Sequence, residues 1–362
     1  MYIGSKPADK VLTASDITDG VVSTAKIADN AVTADKTSYK DVPFRNIIIN
    51  GDMSQAQRAT SASSITGDGY NVVDRFINEM NTAGTWTISQ DTDVPTGQGF
   101  AKSLKYDCTT ANGSLSAGSY GFVGQRLEGQ NLQYLKFGTA SAESLTLSFW
   151  VKSVKTGTYI VEIPNFTSNK SQSQSYTVDS GSTWEKKTLT FSGDTATTIA
   201  NSNARSFNVN FWLVAGTTYT SGTLNTSYNT LSNANRAVGQ VNLADSTSND
   251  FWITGVQLEV GTTASDFEFL PYDVNLNRCL RYYEKNGDSV AGCYYSGRND
   301  GISRGLLQFI VPKRAAPTCT VSVRGNATWD LASVFTVSLY NFDFGRSADY
   351  ASFSLYTASA EL

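Results

Sequence analysis

Trp150, Trp212 and Trp252 each directly follow a phenylalanine inside a run of alternating apolar and polar residues. Strand alternation sends each indole to the face opposite its phenylalanine. Indoles on a shared face, with amides beside them, make the flat platform and hydrogen-bonding fringe that sugar rings need. Asn208, Asn210 and Gln257 supply amides at suitable positions. Trp150, Trp212, Trp252, Asn210 and Gln257 are therefore the candidate carbohydrate-binding residues, on the condition that their strands share a sheet. The competing reading buries both faces beneath a second sheet, a loop layer or a neighbouring subunit, because tryptophan serves packing and interfaces equally well.

Composition narrows the remaining chemistry. The 362 residues contain no histidine, which removes Ser-His-Asp and Cys-His nucleophiles and every His-based metal site. Catalysis would have to rest on carboxylates, lysine, tyrosine or a bare cysteine. The 32 acidic residues are enough for a glycosidase pair, but nothing in their spacing sets two carboxylates at the required separation. The chain is expected not to be an enzyme. Cys108, Cys279, Cys293 and Cys319 lack the two-residue spacing of zinc or redox motifs. Free, buried thiols are the expectation, with one disulfide among the last three as the alternative. Gly118 to Gly124 has no Gly-Lys-Ser/Thr after it and reads as a turn. A net charge of −4 without a Lys/Arg stripe argues against nucleic acid. No stretch is apolar for long enough to insert in a membrane. The start, Met1-Tyr2-Ile3-Gly4, lacks the basic and apolar regions of a secretory signal.

The elements that would position these residues are strands. Leu145 to Lys152, Thr158 to Ile163, Trp184 to Phe191, Phe207 to Leu213 and Phe251 to Glu259 alternate or are β-rich, with Gly- and Ser-rich turns between them. Phe44 to Asp52 reads as a further strand entering a turn. This pattern predicts a sandwich over residues 44–275. Val274 to Lys285 is the best helix, with Asn275 as its cap. It opens a smaller C-terminal β domain, residues 276–362, with strands expected at Leu306 to Pro312, Cys319 to Val323, Val334 to Tyr340 and Ser352 to Tyr356. Tyr294, Tyr295 and Arg298 are candidate receptor contacts there, because aromatics among Gly, Ser and Asn make good recognition surfaces. Plain β propensity and packing explain the tyrosines equally well.

Residues 1–43 differ from the rest. Ile17 to Lys26 and Ile27 to Lys36 form a ten-residue repeat, with Asp-Gly and Asp-Asn turn formers at matching places. Ile17, Val22, Ile27 and Val32 are too few to fold a monomer, but they can pack around an axis between chains. An extended docking or trimerisation segment is the functional reading, and a flexible linker the alternative.

Three segments carry a resemblance. The Ile17 to Lys36 block looks like repeats that begin many phage fibre proteins. Phe44 to Met53, Asp74-Arg75-Phe76 and Trp252 to Gly261 resemble the ends of a carbohydrate-binding-module-like jelly roll found in tail-fibre and virion-associated proteins. Arg278 to Glu284, followed by Val311 to Thr318, resembles the C-terminal module of the same proteins. The resemblance implies an all-β chain made of an extended N-terminal assembly segment, a large jelly-roll-like sandwich and a small C-terminal β domain. It implies a homotrimeric virion subunit, made in the host cytoplasm, that joins other virion proteins through its N-terminus and contacts host surface polysaccharide. Tail fibre is the first reading, capsid decoration or head fibre the second, and a polysaccharide-degrading tailspike the least supported. No cofactor is expected. The positions matching the calcium-binding acidic residue of such modules are Thr254 and Gly255, neither a carboxylate, which leaves Asp52 as the one oxygen ligand offered to a structural calcium.

Overall fold

The structure is a computed structural model that describes residues 44–285, 295–296, 303–322, 333–346, 350–351 and 355–362. Ile17, Val22, Ile27 and Val32 lie outside the described residues, as do Tyr294 and Arg298.

Twelve strands come first in the chain. They are β1 (Ser61–Ile65), β2 (Ile77–Asn81), β3 (Thr85–Asp91), β4 (Ser103–Thr110), β5 (Tyr120–Glu128) and β6 (Leu145–Ser153), then β7 (Gly157–Asn165), β8 (Lys170–Val178), β9 (Glu185–Phe191), β10 (Arg205–Ala215), β11 (Asn229–Thr230) and β12 (Asp250–Val260). They form two six-stranded antiparallel sheets. Sheet A runs β1-β3-β4-β12-β6-β9 and sheet B runs β11-β8-β7-β10-β5-β2. The all-β sandwich expected from the alternation is the observed architecture.

The alternation sets the layers. Leu145, Leu147, Phe149 and Val151 of β6 face inward from sheet A, and Phe207, Val209, Phe211 and Leu213 of β10 face inward from sheet B. Phe149 meets Phe211 edge-on across the interior, with ring centroids 5.1 Å apart. Such contacts add to burial of the rings. Every residue between these lies on an outer face, and the outer faces are where function has to be sought.

Three local expectations are corrected. Phe44 to Asp52 is a bent segment, buried from Asn46 to Gly51, rather than a ladder strand. Two backbone bonds of 2.9 Å tie it to β12, Ile47 N to Leu258 O and Val256 N to Gly51 O, and side chains supply the rest: Asn46 Oδ1 accepts from Ile48 N and Leu258 N at 3.0 and 3.1 Å, and the Gln125 amide of β5 brackets both the N–H and the carbonyl of Ile49 at 2.8 Å. Gly118 belongs to a turn, but Gly121 and Gly124 lie inside β5. No side chain fits at Gly124, because an added Cβ would sit 2.4 Å from Val209 O and 2.8 Å from Asn210 Oδ1. The helix is α2 (Tyr272–Leu280), preceded in the chain by the single turn α1 (Thr217–Thr220). α2 starts after Pro271, whose fixed φ suits a helix start. Asn275 is therefore interior to α2, and its amide reaches Asn50 N at 3.2 Å and Asp52 Oδ1 at 3.1 Å.

The remaining strands are β13 (Tyr283–Lys285), β14 (Tyr295–Ser296), β15 (Ser303–Gln308), β16 (Thr318–Ser322), β17 (Ser333–Val337), β18 (Asn341–Arg346), β19 (Tyr350–Ala351) and β20 (Leu355–Ser359). They make three small sheets, β13-β20-β16, β14-β19 and β15-β18-β17. Charged groups join this region to the sandwich. Glu128, at the end of β5, accepts two bonds from Arg281 at 3.0 and 2.9 Å and one from Tyr282 Oη at 2.6 Å. Arg75 pairs with Glu361. Within the C-terminal region, buried Glu284 pairs with Lys313 and accepts from Tyr356 Oη. Burial of these charges without such partners would be costly.

Candidate functional site

The three tryptophans of the sequence pattern do not share a sheet. Trp150 on β6 and Trp252 on β12 lie on the outer face of sheet A, and Trp212 on β10 lies on the outer face of sheet B. Trp212 is fully buried (0% exposed), because the chain from Gly216 to Val241, which includes α1, folds back over it. Its ring packs on Phe122 at 5.2 Å and Tyr219 at 5.4 Å, and its Nε1 donates to Glu162 Oε2 at 3.3 Å. One continuous indole platform is therefore not formed.

On sheet A, Trp252 is nearly buried. Its Nε1 donates to Asp91 Oδ2 at 3.1 Å, and the ammonium groups of Lys152 and Lys105 lie 4.0 and 4.9 Å from its ring centroid. Trp184, in the turn before β9, donates to Asp93 Oδ1 at 2.9 Å, and Lys152 also pairs with Asp93. Burial pushes the Asp91 carboxyl up, but the Trp252 indole, the N–H groups of Asp93 and Thr92, and Lys105 outweigh it and hold it below its ordinary value. Burial likewise opposes ionisation of Asp93, and hydrogen bonds from Lys152 and Trp184 together with the Lys152 charge overcome it. Trp150 is half-buried near Gly255, whose φ of +61° needs glycine and whose added Cβ would strike the Phe100 ring at 2.6 Å.

Gln257 is buried and fully occupied. Its Nε2 donates to Glu259, Ser265 Oγ and Asp266 O at 2.9, 3.0 and 3.2 Å, and its Oε1 accepts from Glu268 N at 2.8 Å. It ties the loop after β12 to that strand. Asp52 Oδ1 accepts from Ser54 and Asn275. Among the described residues, no group of three or more Cys, Asp or Glu is placed to hold a metal. Cys108, Cys279 and Cys319 are free thiols. Tyr295 contributes its backbone to β14, opposite Ala351.

Sheet B presents a different arrangement. Asn208 and Asn210 project outward from β10, each 1% exposed. Neither amide has a hydrogen-bonding partner on nitrogen or oxygen among the described residues. Across the strands, Asn208 faces Arg126 on β5, and Asn210 faces Gly124 on β5 and Glu162 on β7. The Ser171 hydroxyl on β8, buried and paired with Pro164, also has no partner among the described residues. Around this strip stand three arginines. Arg126 pairs with Glu79 at 2.9 Å, and Arg236 grips Glu162 through two bonds of 2.8 and 2.9 Å. Arg205 pairs with no acid among the described residues and stacks on Phe166, its Cζ 3.6 Å from the ring centroid. A buried amide left unbonded costs about 1–3 kcal/mol, so this strip holds hydrogen-bonding capacity that the described residues do not use. An amide offers both a donor and an acceptor, which matches a hydroxyl.

Alternation against the Phe207-Val209-Phe211 row was enough to place Asn208 and Asn210 outward. Arg205, Phe166, Arg126, Glu162 and Ser171 were missed, because strand neighbours across a sheet leave no mark in sequence spacing.

Asp107 and Asp250 are directly cross-strand, Lys105 pairs with Asp250 at 3.2 Å, and burial raises the Asp250 carboxyl despite Lys105.

No family model matches the sequence, and no curated protein matches it. Solved structures do match part of the chain at low similarity. The enzymatically active domain of bacteriophage CBA120 tailspike protein 4 aligns at 15% identity and TM-score 0.31, over 60% of this chain and 22% of that one. The family 11 carbohydrate-binding module of Clostridium thermocellum Lic26A-Cel5E aligns at 13% identity and TM-score 0.27, over 56% and 99%. A family 61 carbohydrate-binding module in complex with β-1,4-galactotriose aligns at 9% identity and TM-score 0.30, over 60% and 99%.

Proposed function

We propose that this chain is a non-catalytic structural and glycan-binding subunit of a phage tail fibre. In this reading it assembles as a homotrimer, residues 1–43 attach it to other virion proteins, and the outer face of sheet B contacts host surface polysaccharide. One observation carries the binding part: two adjacent asparagines, almost wholly buried, hold amides with no partner among the described residues. A bound sugar would restore those bonds through its hydroxyls. The ten-residue repeat and the order of the fibre-like segments support the assembly part.

The test is calorimetric titration of the full chain with purified surface polysaccharide from a susceptible host. Binding that disappears in Asn208→Leu and Asn210→Leu, with the fold intact by circular dichroism, supports the reading. Binding unaffected by either substitution moves the site elsewhere. Release of reducing ends during the incubation would reject the non-catalytic part. A monomer in light scattering would reject the trimer, and immunogold labelling at the head would replace the tail fibre by a head fibre or capsid decoration protein.

A further inference from the structure

Arg205 is the odd member of the sheet B face. Its two arginine neighbours on that face are neutralised, Arg126 by Glu79 and Arg236 by Glu162. Arg205 has only the Phe166 ring, which is itself 41% exposed, and its Nε is buried without a partner among the described residues. Burial and the nearby Arg126 charge lower its pKa, and the opposing pull of Glu79, already paired with Arg126, does not offset them. Stacking on Phe166 fixes the guanidinium plane, and a guanidinium held in one plane offers paired N–H donors in the geometry of a carboxylate. Asn208 is three residues along the same strand, the register shift between Arg205 and Phe207 brings both to this face, and Asn210 follows.

We infer that the ligand of this face is an anionic saccharide, a sugar bearing a carboxylate as uronates do, with the carboxylate on Arg205 and ring hydroxyls on Asn208 and Asn210. The inference rests on the glycan reading above and names the class of sugar. It explains one charge and two amides with a single ligand. A neutral sugar would leave Arg205 uncompensated, and a bare anion would leave the amides unbonded.

Nuclear magnetic resonance titration of the full chain with millimolar glucuronate, glucose and acetate separates these cases, reading the side-chain amide signals of Asn208 and Asn210 and the Nε–H of Arg205. Saturable shifts at all three side chains with glucuronate, at an affinity about tenfold or more above glucose, are expected, because a charged hydrogen bond is worth about 1.5–3 kcal/mol. Arg205→Met should collapse that preference to near one while leaving the melting temperature unchanged. Equal affinities for glucuronate and glucose would overturn the inference and leave the glycan reading standing. Acetate matching glucuronate would overturn it in favour of a simple anion site. Shifts with none of the three would overturn the inference and the glycan reading together.

Discussion

On the outer face of sheet A the indoles of Trp252 and Trp184 have carboxylate partners and Lys152 and Lys105 have acids, while on the outer face of sheet B two amides and one arginine have none among the described residues. Both faces carry tryptophan, charge and small polar residues. What separates them is satisfaction. The Trp252 end of sheet A is closed upon itself, so its polar groups stabilise the fold and have little left for a ligand. The sheet B strip keeps bonding capacity in reserve, at a cost to stability. The comparison teaches that a tryptophan beside an amide indicates a site only where the amide is left unmet.

The largest effect that tests this contrast lies at Trp212. Trp212→Ala should cost about 3–5 kcal/mol in urea unfolding, as for other large buried aromatics, and Trp150→Ala distinctly less, because Trp150 is only partly buried. Equal losses at the two positions would erase the difference between a covered and an open indole. Next, Asn208→Leu and Asn210→Leu should each leave stability unchanged or raise it by up to about 1–3 kcal/mol, since an unbonded amide is replaced by an apolar group of similar size. Destabilisation by either would mean that the amides are bonded and the strip is closed. On sheet A, Lys152→Met should change stability by no more than about 1 kcal/mol, because its partner Asp93 is substantially exposed and screened.

The smallest effect is in pH. Asp91 and Asp93 have folded pKa values below the ordinary 3.8, so the stability they supply is present above 3.8 and fades as pH falls through their lowered values. Acid titration followed by tryptophan fluorescence should report loosening around Trp252 and Trp184 below about pH 4, and Asp93→Asn should flatten the part of the profile due to that residue. An unchanged profile would disconnect these carboxylates from the indoles.

Much of the sandwich was legible because alternation is a local property. Leu145-Leu147-Phe149-Val151 and Phe207-Val209-Phe211-Leu213 announce one buried face wherever they fold. The Phe44 to Asp52 segment was misread because Asn46 and Gln125 imitate ladder bonds from a distance, and no local pattern distinguishes that from pairing. The helix start was misplaced because Asn275 has the chemistry of a cap, while its amide is spent on Asn50 and Asp52. Of the candidate site, Asn210 could be placed outward from its own strand. Its neighbours Gly124 and Glu162, 86 and 48 residues away in the chain (210 − 124 and 210 − 162), could not.

By itself, then, the sequence determined the β class, the inward rows of the strands and the absence of histidine chemistry, since each follows from residue type and a period of two. Which strands became neighbours was decided only by the tertiary structure. That choice sent Trp212 to one sheet and Trp150 and Trp252 to the other, filled every bond of Gln257, and left Asn208, Asn210 and Arg205 unmet among the described residues. Hydrogen-bond satisfaction depends on which groups meet across strands, and those meetings are long-range.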